Sequence, residues 1–494
     1  MGRMKKTTFV AADLGAGSGR VVAGRFDGSR LTLEETNRFD NPQTDLAGRV
    51  HWDVVALYRN IVEGVRRAGA AESVGVDAWG VDYGLVDASG RLLGLPYSYR
   101  DSRLDGVMDD VCGRLGRRRV YEATGTQFMP INTLYQLVAE SREPSGLLDR
   151  ADRFLMIPDL MDYWLSGAMS NELTIASTSQ CLDVRTRDWS WDLLDAAGLP
   201  RRVFGPIVRP GTVLGRMLAP VSSGRQPKVV AVGTHDTASA VASIPVPEAG
   251  KWGCMSTGTW ALVGAELPEP VFSDESCDLS YTNEIGVEGG IRFMKNATGM
   301  WTYQELHRAW RAKGEDIPYE AMTVLATEAK PFASLIDPDS PRFARAGKMD
   351  EKIAKWCSET GQRVPRTKGE FARCALESMV MRYKFLWRQL ERITGTKRDG
   401  LNMIGGATRN ALHCQMTADA LGVPVLCGPT EGAITGNILV QMIATGRLAN
   451  LAEARELVRA SFEPVVYEPD RSAADAWEEA FAKWSEMAGV AGKD

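Results

Sequence analysis

Asp236 stands between His235 and Thr237 in GTHDTASAV, residues 233–241. A carboxylate flanked by an imidazole and a hydroxyl can take a proton from a bound hydroxyl group while its neighbours hold that group in place. The apolar PKVVAVG before it reads as a buried strand, and the small residues of TASAVASI after it read as a helix. Two roles are open to an Asp at such a junction. It is either a helix N-cap accepting backbone N–H groups, or a carboxylate at the mouth of a site.

A second set of residues suits phosphate. Gly15-Ala16-Gly17-Ser18-Gly19-Arg20 follows an apolar strand pattern that ends at Asp13 and Leu14. A dinucleotide fingerprint needs a helix after the glycines, but VVAGRF follows here and reads as strand, which excludes a dehydrogenase of that type. No GxxxxGK[ST] sequence occurs, so this is not a P-loop. What remains is a Gly-rich β-turn whose N–H groups can cradle phosphate oxygens, with Asp13 placed to hold a magnesium ion. The plainer alternative is a hairpin with a capping Asp. Ser256-Thr257-Gly258-Thr259 makes a second turn of the same kind, and Gly405-Gly406 lies where a strand pattern gives way to a helical one. The order suggests one nucleotide clamped between two lobes.

The elements that must position these residues are legible in outline. Strand, turn and strand open the chain, and RLTLEET alternates as a third strand. Val54, Leu57, Ile61 and Val65 have helical spacing, and ESVGVDAWGVDYGLVDASG follows as strands with a turn. KWGCMSTGTWALVGAEL repeats the opening device, a duplication of architecture rather than of sequence. In LNMIGGATRNALHCQMTADALGVPVL, Leu412, Met416, Ala420 and Leu421 form an apolar stripe that Gly422 and Pro424 end. Trp477, Ala480, Phe481, Trp484 and Met487 share one face of a terminal packing helix. Residues 312–368 carry no motif and read as peripheral helices and loops.

Composition excludes several classes. At roughly 100–200 residues per domain, 494 residues make two or three domains. A net charge of −5 gives neither a basic face for nucleic acid nor a polybasic membrane signal. Eight scattered cysteines without a CxxC pair, and only four histidines, argue against structural zinc and for a reduced, cytoplasmic protein. Cys357 and Cys374 could pair in principle, and the sequence alone does not show whether any cysteines do. Asp13 interrupts the first apolar run too early for a signal peptide, and Lys6 breaks the myristoylation pattern at Gly2. GAITGNILVQMIATG is too short and polar to span a bilayer.

The ordered set resembles the FGGY family of carbohydrate kinases. The residues that carry the resemblance are DLGAGSGR (13–20), GVDAWGVDYGLVD (75–87), PYSYRDSR (96–103), GTQFMPINTLYQL (125–137), GTHDT (233–237), STGTW (256–260), KNATGMW (295–301) with Gln304, and GGATRNALHCQMTADALG (405–422). The resemblance implies an α/β, two-lobed actin-like, ribonuclease-H-like ATPase fold with an inter-lobe active-site cleft. The expected division is 1–245, 246–465 and a terminal helix in 466–494 packing on the lobes.

The resemblance also implies ATP and Mg2+ as cofactors and a small ketose as substrate. The stretches WGVDYGLVD, PINTLYQL and HDT together point within the family to L-rhamnulose, converted to L-rhamnulose 1-phosphate in L-rhamnose breakdown. L-fuculose and L-xylulose remain alternatives, as does a non-catalytic ATP-driven binding protein on the same fold. By the family's pattern Asp236 is the catalytic base, His235, Thr237, Gly80 and Asn296 contact sugar, and Gly15, Ala16, Gly17, Ser18, Gly19, Arg20, Thr259, Gln304 and Gly405 contact ATP. Asp13 organises magnesium. Chemistry alone adds Trp79, Asp82 and Tyr83: an aromatic wall suits the methyl group of a deoxy sugar and Asp82 suits its hydroxyls, while core packing is the alternative for both rings. Gly17 stands where close relatives are expected to have Ser, and Tyr99 where other members have Trp.

Overall fold

The computed structural model describes residues 6–220, 225–246 and 251–494. Thus the N-terminal signal and myristoylation patterns fall partly outside the described residues. The chain opens with β1 (Thr7–Leu14), β2 (Ser18–Phe26) and β3 (Leu31–Asp40). There follow α1 (Val54–Ala68), β4 (Ser73–Ala78), β5 (Thr212–Arg216), β6 (Lys228–Ala231) and α2 (Asp236–Ala242). The later part gives β7 (Trp252–Thr257), β8 (Trp260–Leu267), α3 (Lys368–Thr394), β9 (Gly400–Ile404), α4 (Ala411–Leu421) and β10 (Val425–Cys427). The last elements are α5 (Gly432–Ala444), α6 (Leu451–Phe462), β11 (Val465–Tyr467) and α7 (Ala474–Met487).

Two compact units result, and neither is one continuous stretch. The first is Met1–Pro247, Glu266–Phe293 and Gly432–Glu463; the second is Glu248–Ala265, Met294–Glu431 and Pro464–Asp494. The two returning segments of the first unit lie in the range expected of a second lobe. The physical reason is the buried face of α5. Gln441 donates to the Val10 carbonyl at 2.9 Å and accepts from Ser73 Oγ at 2.7 Å, and a Cβ on Gly436 would run into the backbone of Ser239. The helix is therefore held on β1, β4 and α2.

The sheet of the first unit runs β5-β6-β4-β1-β2-β3. β1 and β2 are antiparallel, whereas β1, β4 and β6 are parallel neighbours. Strands buried on both faces read as apolar runs, as β1 and β4 do. α1 covers the sheet with Val54, Leu57, Ile61 and Val65; Asp53 caps it by accepting from Ala56 N–H at 2.9 Å.

The second unit repeats the device. Its hydrogen-bonded strands include the order β8-β7-β9-β10-β11, with β7 antiparallel to β8 and parallel to β9. The architectural duplication expected from the two hairpins is thus a shared topology: a hairpin whose first strand pairs in parallel with a later one. α7 buries Trp477, Phe481 and Trp484 in this unit's core, where Trp484 Nε1 donates to the Ile336 carbonyl at 2.8 Å. Residues 312–368 are not peripheral. Met322, Leu335, Ile336, Phe343, Met349, Ile353 and Cys357 enter the same core, because helices Tyr319–Glu328 and Met349–Glu359 lay apolar faces on it. Cys357 and Cys374 are free, buried thiols, as are six others of which only Cys112 is partly exposed. Among the described residues no helix is long and apolar enough to cross a membrane.

Candidate functional site

In the first unit three parallel strands end side by side; two of the ends carry a carboxylate, and a third carboxylate follows the other strand on the first residue of α2. Asp13 of β1 pairs in register with Asp77 of β4, one residue before both strands end. The loop from β6 to α2 is tied to the same edge, since Ala78 N–H donates to the Thr234 carbonyl at 2.9 Å and Trp79 N–H to the Leu14 carbonyl at 3.2 Å. The carboxyl edge of a parallel sheet is where open α/β folds place ligands.

Asp236 is the first residue of α2, and the cap position belongs to His235. The N-cap alternative therefore fails: the Asp236 carboxylate is not spent on backbone N–H groups. Its Oδ1 accepts from the Thr237 hydroxyl at 3.0 Å, and its side chain keeps 34% of its surface exposed. The His235 ring lies alongside, with Nε2 3.5 Å from the same oxygen. A buried carboxylate positions this loop. Glu172 Oε2 accepts from Thr234 Oγ1 at 2.6 Å, and Thr174 Oγ1, which Glu172 also holds, accepts from His235 N–H at 3.3 Å.

Asp13 is paired with Arg20 at 2.7 Å across the first turn. The turn closes through Gly15 N–H to the Ser18 carbonyl at 2.9 Å, and Asn41 Nδ2 fastens the Gly15 carbonyl at 2.9 Å. Gly17 and Ser18 face outward, and a Cβ on Gly17 would meet nothing within 4 Å. Asp77 is fully buried. Asn437 donates to its Oδ2 at 2.6 Å, and its Oδ1 accepts no hydrogen bond. Burial pushes its carboxyl well above the usual range, and the charges of Asp13 and Asp236 push it further.

The WGVDY stretch forms a tight, strained corner. Val81 has φ of +73°, a conformation that a β-branched residue rarely adopts. Its carbonyl is clamped by Thr133 Oγ1 at 2.7 Å and Gln136 Nε2 at 3.2 Å, which explains why PINTLYQL accompanies this corner. Asp82, fully buried, receives Trp52 Nε1 at 2.6 Å, Gln136 Nε2 at 2.8 Å, Trp79 Nε1 at 3.0 Å and Tyr99 N–H at 3.2 Å. Burial raises its carboxyl to about 6 against the pull of these donors. Four donors occupy Asp82, so it holds the two indoles rather than offering a free acceptor to sugar hydroxyls. Trp79 lies against Trp52 with ring centroids 4.4 Å apart. Tyr83 is buried edge-on to Phe154, the core-packing alternative for this ring. Gly80 leaves no room for a side chain, since a Cβ would stand 2.9 Å from Thr178 Oγ1.

The second unit holds the other expected residues. Thr259 Oγ1 donates to Gln304 Oε1 at 3.2 Å, so two residues matched separately by sequence meet. Their turn is fastened by Met300 N–H to the Gly258 carbonyl at 2.8 Å and Gly299 N–H to the Thr259 carbonyl at 3.1 Å. Gly405 has φ of +97°, and a Cβ there would stand 2.5 Å from the Thr257 carbonyl oxygen. Asn296 lies on the strand Ile291–Thr298. Cβ atoms on Gly258 or Gly406 would meet nothing within 4 Å, so backbone at both turns is open to a ligand.

These residues fit the nucleotide and metal that the sequence implies. Asp13 and the unpartnered Oδ1 of Asp77 are adjacent hard oxygen donors, suited to Mg2+, which takes one or two carboxylates and keeps its waters. Among the described residues no group of three or more His, Cys, Asp or Glu side chains is arranged to enclose a metal. Sequence reasoning missed Asp77, Glu172, Asn437, Glu284 and Arg292. For Asp77 a signal existed: one carboxylate near the carboxyl end of an otherwise uncharged strand pattern, SVGVDA.

The chain matches two family models. That of the FGGY family of carbohydrate kinases, N-terminal domain, covers residues 9–243, and that of the C-terminal domain covers 253–445. It is 39% identical over 484 residues to a rhamnulokinase of Bacteroides thetaiotaomicron, covering 96% of this chain and 98% of that protein. It is 37% identical over 474 residues to a rhamnulokinase of Bacillus subtilis, covering 94% and 96%. Among solved structures, gluconate kinase from Lactobacillus acidophilus superposes with a TM-score of 0.80 at 15% identity over 99% of each chain. Plasmodium falciparum glycerol kinase with ADP gives 0.79 at 15% identity over 97% of this chain and 98% of that one. The fold expected from the sequence, α/β and actin-like with two sheet-containing units, is the fold that these kinases share.

Proposed function

Because the chain belongs to the FGGY family of carbohydrate kinases, we propose that it transfers the γ-phosphoryl group of ATP to L-rhamnulose, giving L-rhamnulose 1-phosphate and ADP. The observation that carries this reading is Asp236: a half-exposed carboxylate on the first turn of α2, not used as a cap and flanked by His235 and Thr237. Asp236 accepts the proton of the sugar hydroxyl as its oxygen attacks the γ-phosphorus. Phosphoryl transfer is mostly positioning and charge stabilisation, and a placed base adds about 10²–10⁴-fold.

His235, Thr237, Gly80 and Asn296 are assigned to the sugar. Trp79 supplies an apolar wall for the methyl group, and Asp82 holds Trp79 and Trp52 in place. Gly15, Ala16, Gly17, Ser18, Gly19 and Arg20 in the first unit, and Thr259, Gln304 and Gly405 in the second, are assigned to ATP. Asp13, with Asp77 beside it, would hold Mg2+, which supplies positive charge to the phosphate oxygens. The substrate assignment is supported by the relatives named rhamnulokinase, at 35–40% identity.

ADP release with Mg-ATP tests the reading across L-rhamnulose, L-fuculose, L-xylulose, D-xylulose, glycerol and a control without sugar. Strong dependence on L-rhamnulose supports it. Preference for L-fuculose or L-xylulose moves the specificity and keeps the chemistry. No sugar-dependent release from folded protein favours a non-catalytic, ATP-driven binding protein.

A further inference from the structure

The loop His235-Asp236 is backed by two buried charges far along the chain. Glu284 lies on the strand Thr282–Ile285 and Arg292 on Ile291–Thr298, and both belong to the first unit together with His235. Arg292 is fully buried, and its Nη2 lies 3.0 Å from Glu284 Oε2. The same Nη2 lies 3.1 Å from His235 Nδ1 with hydrogen-bond geometry. Glu284 Oε2 is also 3.2 Å from Nδ1, yet this oxygen is buried and accepts no bond of good geometry.

These contacts bear on where the imidazole carries its proton. A guanidinium in a protein does not give up its protons, and it has no acceptor. An Nη2–H directed at Nδ1 therefore requires a lone pair on Nδ1. The neutral ring then carries its hydrogen on Nε2, the nitrogen that faces Asp236 Oδ1 at 3.5 Å. Glu284 balances the guanidinium, since an isolated buried cation would be strongly unfavourable. Burial alone would lift the Glu284 carboxyl, but the Arg292 charge beside it pulls it down, so the carboxylate stays charged next to the guanidinium.

We propose that Arg292, neutralised by Glu284, is a positioning residue that fixes His235 as its Nε2–H tautomer. The ring then offers its single Nε2–H to a sugar oxygen, on the side that faces Asp236. With the Thr237 hydroxyl already on Oδ1, Oδ2 is left as the oxygen that takes the substrate's proton. This assignment rests on the kinase reading for its catalytic meaning, but the tautomer itself does not.

The test is a two-bond 1H–15N spectrum of the full chain labelled at histidine, at pH 8 and without ligands. The chain has four histidines, and the His235→Gln spectrum identifies the signal. The expected result is a protonated Nε2 and a bare Nδ1. An Nδ1–H ring, or a doubly protonated one, overturns the proposal whatever the sugar assays give. Arg292→Lys replaces a planar fork with a point donor, and is expected to mix the two tautomers. It should also raise the KM for L-rhamnulose about ten-fold, the worth of one good hydrogen bond, with the KM for ATP unchanged. A folded Arg292→Lys protein whose sugar KM rises while the tautomer stays pure would show that Arg292 acts only through packing, and would also overturn the proposal. Inactivity on L-rhamnulose with the expected tautomer would instead count against the substrate assignment.

Discussion

Asn437 donates its side-chain amide to Asp77 Oδ2 at 2.6 Å, joining two residues 360 positions apart in the chain. Asn437 Oδ1 in turn accepts from Gln441 Nε2 at 2.7 Å, so α5 presents an ordered pair of amides to β1 and β4. The amide holds a carboxylate that burial and two neighbouring carboxylates disfavour. Asn437→Ala should cost about 1–3 kcal/mol by leaving that oxygen unpaired. Asn437→Asp should cost more at neutral pH, and part of the loss should return on acidification. Urea unfolding at two pH values checks both.

Asp236→Asn keeps the size of the side chain and removes its basicity. The variant should fold with an unchanged Tm and bind ATP. Its sugar-dependent ADP release should fall by about 10²–10⁴-fold. Near-normal turnover in a folded variant would falsify the assignment of Asp236 as base.

Asp82→Asn turns one acceptor oxygen into a donor amid four donors. Removing a charged acceptor from buried N–H groups should cost about 2–3 kcal/mol. The near-UV circular dichroism of Trp52 and Trp79 should change, and the sugar KM should rise with little effect on that for ATP. Wild-type sugar affinity should also weaken as pH falls below about 6, where Asp82 gains a proton and with it a fifth donor. An unchanged indole spectrum would count against the positioning role.

Gly405→Ala places a Cβ 2.5 Å from the Thr257 carbonyl oxygen at a φ of +97°. Strain of about 1–3 kcal/mol is expected. The KM for ATP should rise about ten-fold while that for sugar holds, which steady-state kinetics resolves.

Asp162 lies on the helix Ile157–Ser166 with both carboxyl oxygens buried and unpartnered. Burial raises it well above the usual carboxylate range, and Asp159 and Glu172 add to the shift. The folded chain keeps a proton that the unfolded chain releases near pH 4. The stability tied to that proton is full below about pH 4 and declines as pH rises towards the folded value. Asp162→Asn cannot titrate, so its Tm should gain on that of the wild type as pH rises from about 4 to 8. Parallel Tm profiles would refute this.

The sequence by itself determined the hairpins, α1, the strand before Asp236 and the order of the turns. Each depends on local periodicity or on glycines at fixed places, and a few consecutive residues carry that information. It placed Asp236 at a strand-to-helix junction without separating cap from base; only the fold put His235 in the cap position and left the carboxylate uncapped. It singled out Asp82 for its chemistry, but indoles and an amide from residues 52, 79 and 136 decided what that carboxylate faces. Asp77, Asn437, Glu284 and Arg292 acquire their roles from partners brought together by parallel pairing and by the return of α5 to the first sheet. Tertiary structure decided them because hydrogen bonding and burial depend on neighbours in space, and for these residues the neighbours are remote in the chain.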